Sequence, residues 1–157
     1  MPTHFERMLQ LADEIFDAKS DASQIQVNEE VLDHLRAIHP ACVSADEEGD
    51  GPVAWVLVIP TTTELMKQFM QHEITERELF EQTPLHASYE ALYLCSAMVL
   101  QEFRQQGLAK QLAVRAIEAI CKDHSIQSLF VWTFSKEGLL TAQSIAKKVN
   151  IPLSVRE

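Results

Sequence analysis

Apolar residues return every three or four positions from the start of the chain. Phe5, Met8, Leu9, Ala12, Ile15 and Phe16 fall on one face of a helix, and Thr3 with Glu6 makes a capping box ahead of it. Lys19 to Gln26 reads as a loop. Asn28 stands where a second helix is capped, its apolar face is Val31, Leu32, Leu35 and Ile38, and Pro40 ends it. The period then changes. Ala41 to Ala45 predicts a short strand, Asp46 to Gly51 an acidic turn, and Val53 to Ile59 a nearly continuous apolar strand, central in a sheet and closed by Pro60. The helical period returns over 61–83. Thr63 is the expected cap for a face of Leu65, Met66, Phe69 and Met70. Thr75 with Glu78 is a second capping box before Leu79 and Phe80, so this stretch predicts two short helices or one broken helix.

Beyond residue 90 strands and helices alternate. Ala91 to Leu100 is a strand, Gln101 to Gly107 a loop, and Leu108 to Asp123 a helix with Leu112, Ala116, Ile117 and Ile120 inward. Ile126 to Phe134 is a strand, Lys136 to Val149 a helix, and Ile151 to Val155 a closing strand. The order predicts an α/β (α+β) domain with a central mixed sheet flanked by helices. The 157 residues suit a single domain spanning 1–157, with no repeat, low-complexity tract or linker.

Charge changes the picture more than composition does. Apolar residues make up 46% of the chain, enough for a core, and the net charge of −10 argues against a nucleic-acid binder driven by phosphate contacts. Residues 1–103 hold 5 basic and 19 acidic side chains, whereas 104–157 hold 8 basic and 4 acidic ones. A polyanionic ligand suits the second part and a cationic one the first. No apolar run approaches the ~20 residues of a membrane span, and the N-terminus lacks the pattern of a signal peptide. A soluble cytoplasmic protein without a membrane partner is expected. Cys42, Cys95 and Cys121 read as buried small hydrophobes. The six histidines show no zinc spacing, so no metal is expected. No phosphate-binding P-loop or nucleophile-elbow motif occurs. Trp55 and Trp132 read as core residues in strands.

The segment that carries chemistry runs from Ala97 to Ala109. An apolar strand ends, a polar loop turns, and a helix begins at a glycine. The first amides of a helix have no internal partner, and the helix dipole adds positive potential there. Gly107 has no side chain to keep a ligand from the backbone, Ala109 is nearly as small, and Arg104 and Lys110 flank the turn. A pyrophosphate fits such a place.

Arg104-Gln105-Gln106-Gly107-Leu108-Ala109 resembles the R/Q-x-x-G-x-G/A signature of the GNAT N-acetyltransferase superfamily. Val99 at the strand end, Phe103 before the arginine, and the downstream order of elements are similar too, over roughly 91–155. The resemblance implies acetyl-CoA as acyl donor and an amine as acceptor. It implies that Gln105, Gln106, Gly107, Leu108, Ala109 and Lys110 hold the diphosphate beside Arg104, and that Met98, Val99 and Leu100 meet the pantetheine and the acetyl carbonyl. Ser135 falls where the family places a polar contact to the pantetheine. In this division 91–155 is the CoA-binding half and 1–90 the acceptor side, whose acidity favours a cationic acceptor such as a polyamine or a lysine-bearing peptide. A homodimer is left open.

The chain departs from the family in three ways. The tyrosine that often protonates the leaving thiolate falls on Ala146, and Lys136–Val149 has no tyrosine, which leaves Ser144, as a poor substitute, or water. No clear base presents itself: Glu90, His86 and Tyr93 lie before or within the strand 91–100, and Glu102 is expected to face solvent. The chain opens on a helix, and the helical stretch 61–83 interrupts two strands that the family joins by a turn. Three readings therefore stand: an N-acetyltransferase, a non-catalytic acyl-CoA-binding module, and a protein-interaction domain that keeps only the fold.

Overall fold

The computed structural model describes residues 3–17, 29–49, 51–104, 106–133 and 135–156, with the side chains of the first helix described as far as Leu11. The expected loop 19–26, the Asn28 cap, the inward placing of Ala12, Ile15 and Phe16, and residues Asp50, Gln105 and Phe134 lie outside these.

Eleven described elements follow in order: α1 (His4–Asp17), α2 (Glu29–Ile38), β1 (Val43–Glu48), β2 (Gly51–Thr61), α3 (Thr63–Met70), α4 (Glu76–Gln82), β3 (Ala91–Val99), α5 (Leu108–Asp123), β4 (Ser128–Val131), α6 (Lys136–Val149) and β5 (Leu153–Val155). The five strands lie side by side in chain order. β1, β2 and β3 are antiparallel neighbours, while β4 and β5 join in parallel, each after a helix. The mixed sheet between helices is the architecture expected from the alternation.

β2 is buried on both faces. Trp55 and Ile59 share one face, and Ile59 pairs with Tyr93. On that face Phe5 of α1 meets Trp55 edge-on at 6.0 Å, and Phe69 of α3 meets Tyr93 at 5.1 Å. α2 joins the same layer through His34 against Phe80 of α4 at 4.7 Å. α5 covers the other face, packs on β1 and β2, and carries Leu112, Ala116, Ile117 and Ile120 inward; α6 packs on α5. His39 ties the two layers at one end. Its Nδ1 accepts from the amide of Ala41, so Nε2 donates to Asp123 at 2.7 Å.

Several boundaries differ from expectation, each for a physical reason. Residues Pro40–Cys42 form a 3-10 turn, held by the imidazole of His39, so β1 begins at Val43 rather than Ala41. Pro60 does not close β2 but lies inside it, paired with Leu92. β1 reaches only as far as Leu57, so the missing N–H of Pro60 breaks no bond to that neighbour. Thr62, not Thr63, caps α3, accepting from the amide of Leu65. β4 is shorter than expected, and Trp132 follows it rather than lying in it. Cys42 is buried and Cys95 partly buried, but Cys121 is exposed, because it lies one helical step past the inward Ile120. The Thr75–Glu78 capping box, two helices within 61–83, and the bounds of α5 and α6 match the sequence reading.

Candidate functional site

The site begins with a change of pairing along β3. Ala91 to Leu94 pair with β4, but β3 runs on to Val99 while β4 stops at Val131. From Cys95 to Val99 the strand has β2 on one side and, among the described residues, no paired strand on the other. A bulge lies at the same place. Leu57 pairs with Ser96 and Val58 with Leu94, so Cys95 is the extra residue, and a bulge bends a strand and re-aims its groups.

Past β3 the chain makes a 3-10 turn over Gln101–Phe103 and then enters α5 through Gly107, whose φ of 75° is left-handed. A side chain there would meet nothing closer than Gln111 Nε2 at 3.9 Å, so the backbone conformation, not crowding, selects glycine. No side chain caps the helix. Its first internal bond runs from the Gln111 amide to the Gly107 carbonyl at 3.0 Å, and among the described residues nothing accepts from the amides of Leu108, Ala109 and Lys110.

These amides open on a cleft of about 380 Å³. Val99, Phe103, Arg104 and Gly107 to Lys110 form one wall; Leu140, Thr141 and Ser144 of α6 form the other. Arg104 turns back, its Nε donating to the Val99 carbonyl at 3.0 Å. The turn is also gripped from the front of the chain. Arg7 of α1 donates through both Nη atoms to the two carboxylate oxygens of Glu102, at 2.8 and 2.7 Å. This pairing holds the Glu102 carboxyl down at about 2. His4 meets Phe103 edge-on at 5.9 Å and bonds to the Glu48 carbonyl through Nδ1.

The cleft thus gathers Val99, Arg104, Gly107, Leu108, Ala109, Lys110 and Ser144 from among the expected residues. Met98 and Leu100 are buried behind it. Gln106 is exposed beside Gly107, and Gln105 is outside the described residues. Ser135 caps α6, its Oγ accepting from the Gly138 amide at 3.0 Å, and does not line the cleft. Ala146 is buried with Ala142 and Ile145, on the side of α6 turned from the cleft. Leu140 and Thr141 were not singled out by the sequence reading; their i,i+3 and i,i+4 relation to Ser144 was the available signal.

The model for the acetyltransferase (GNAT) family matches residues 5–139. The chain belongs to the GNAT family. No curated protein matches it. Membership makes acyl transfer the general activity class of this GNAT protein, and its mixed five-stranded sheet is consistent with the GNAT fold. Among its described residues no helix is long and apolar enough to cross a membrane, and no group of three or more His, Cys, Asp or Glu could hold a metal ion.

The candidate bases of this GNAT chain lie apart from the cleft. Glu90 is exposed at the start of β3, where its carbonyl accepts from Gln127 at 2.7 Å, and Val99 is nine positions along the strand. His86 sits in the loop before it, with φ of 58°. Tyr93 is fully buried and donates to Glu76 of α4 at 2.5 Å. Burial and then the Glu76 charge push the Tyr93 phenol well above its ordinary range. Burial does the same to the Cys95 thiol, which argues against a nucleophile there. Glu76 escaped the sequence reading because its burial, 4% exposed at a helix start, leaves no local mark.

Proposed function

We propose that this protein is an N-acetyltransferase that moves the acetyl group of acetyl-CoA to an amine. The observation that carries this reading is the first turn of α5, where uncapped amides face a cleft between β3 and α6. In this reading the amides of Gly107 to Lys110 hold the diphosphate, with Lys110 and Arg104 adding positive charge. Gln106, beside Gly107, belongs to the same turn. Val99 contacts the pantetheine along the free edge of β3, and Met98 and Leu100 support it from behind.

Transfer forms an N–C bond from the amine to the acetyl carbon and breaks the C–S bond. The sulfur takes a proton and the amine gives one to solvent. Strand amides re-aimed by the bulge at Cys95 supply the hydrogen bonds that polarise the carbonyl. Ser144, on the cleft wall, is the hydroxyl we assign to the departing sulfur. Glu90, at the far end of β3, and Tyr93, closed off against Glu76, have no part in the proton transfers.

Titration calorimetry with acetyl-CoA, CoA and ADP tests the reading. Micromolar binding of both acetyl-CoA and CoA is the expected result; no binding at millimolar ligand would overturn it. A second reading, a non-catalytic acyl-CoA-binding domain, is favoured by one observation: α6 lacks a tyrosine and buries Ala146 in the core. Binding without thiol release across a panel of amines would select that reading.

A further inference from the structure

On the sheet face opposite α5, a guanidinium is held with its outer edge unused among the described residues. Arg156 follows β5, and its amide donates to the Val131 carbonyl at 2.8 Å. That anchors it beside the last residue of β4, at the level where β3 and β4 part company, since Val131 is also the final partner of Leu94. Its guanidinium carbon lies 4.4 Å from the ring centre of Phe69 and 4.4 Å from that of Trp132. Its Nε donates to the Phe69 carbonyl at 2.9 Å. Two rings and one carbonyl fix its plane. Among the described residues the two Nη groups donate to nothing, although the residue is partly buried.

A guanidinium fixed through Nε and stacked on aromatic faces still offers the fork that matches a carboxylate. Its rotamer freedom is already spent, so an anion docking on it loses little further entropy. A lysine would serve the ring contacts less well and would not present the fork. The surroundings choose the ligand's charge. Glu76 and Tyr93 occupy the same face, bonded to each other, and the front of the chain is strongly acidic. One cation in such a field suits a monoanion, not a phosphate dianion.

We propose that Arg156 is the carboxylate anchor of the acceptor site, and that the acceptor is a small amino acid carrying its amine and carboxylate on one molecule. This rests on the acetyltransferase reading above, in which the acetyl group lies along the free edge of β3. Arg156 stands across β4 from that gap, and its side chain reaches past Trp132 to Phe69, whose ring packs on Tyr93 of β3. The acceptor's carboxylate is clamped by the two Nη groups, and its amine reaches into the gap. The polyamine or lysine-peptide acceptor that overall acidity favours is replaced by a zwitterion, whose ammonium end still suits the acidic front.

The test is a thermal-shift and calorimetric screen of the full chain saturated with CoA. Its ligands are α-, β- and γ-amino acids, each beside its amide and its decarboxylated amine. At least one amino acid should bind, its amide and amine should bind about tenfold more weakly or worse, and Arg156→Gln should erase the difference. Arg156→Lys, which keeps the charge without the fork, should recover part of it. Circular dichroism and CoA affinity of each variant show that the fold and the cleft survive. Equal binding of acid and amide, no amino acid bound, or unchanged preference in Arg156→Gln would overturn the proposal. Failure of CoA to bind at all is a separate result, and it would overturn the acetyltransferase reading on which the proposal stands.

Discussion

Arg7 and Glu102 join the first helix to the turn that leads into the cleft, through two parallel hydrogen bonds at 2.8 and 2.7 Å across 95 positions of chain. Bidentate geometry distinguishes this pair from an ordinary surface contact. Because pairing depresses the Glu102 carboxyl to about 2, its contribution is full above the ordinary carboxylate range and is lost as pH falls toward that value. Glu102→Gln should therefore lower the melting temperature near neutral pH. The gap to the unmodified protein should close as pH falls from roughly 5 to 2. Melting curves across that window check it; a gap independent of pH would show that the pair contributes nothing.

Gly107 is left-handed, and a side chain there would make only ordinary contact with Gln111 Nε2 at 3.9 Å. Gly107→Ala should cost stability of about 1 kcal/mol through backbone strain alone, read by urea unfolding. Gly107→Trp keeps that strain and adds bulk at the mouth of the amide cradle. Calorimetry should find acetyl-CoA binding lost in the tryptophan variant and merely weakened in the alanine one.

Ser144 lines the cleft from α6 and is only partly buried. Ser144→Trp should fill the cleft and weaken acetyl-CoA binding by about tenfold or more while changing stability by less than about 1 kcal/mol. Ser144→Ala should leave affinity intact and lower the rate of thiol release, which separates a role in proton delivery from one in binding.

Tyr93 donates to Glu76 in a site that water does not reach. Tyr93→Phe removes the donor and leaves a buried carboxylate with less support. A loss of about 1.5–3 kcal/mol is expected by denaturant unfolding, the range for a hydrogen bond to a charged group. Acetyl-CoA affinity should not change, since neither residue lines the cleft.

The right half of the chain was legible because its signals are local. Gly107 marks the start of α5, and Leu112, Ala116, Ile117 and Ile120 carry its period inward. The Thr75–Glu78 box was legible for the same reason. What stayed hidden depends on residues distant in sequence. Nothing near Arg7 announces Glu102, nothing near Glu76 announces Tyr93, and nothing near Arg156 announces the rings of Phe69 and Trp132. Pro60 misled because a proline normally ends a strand, and only the early end of β1 makes it harmless inside β2. The cleft was legible as a turn, but its α6 wall followed only from how α6 packs on α5.

β2 and β3 are hydrogen-bonded neighbours, yet α3 and α4 are spliced between them, leaving at Thr61 and returning to pair at Ala91. An excursion whose two ends are clamped together can be lengthened, shortened or exchanged without moving the sheet. This one carries Phe69 and Glu76, while the uncapped amides of α5 belong to another stretch of chain. Under the function proposed above, such a cassette would let a lineage retune which acceptor it takes while inheriting the donor site unaltered. A transplant of residues 62–90 between related chains is the laboratory form of that experiment.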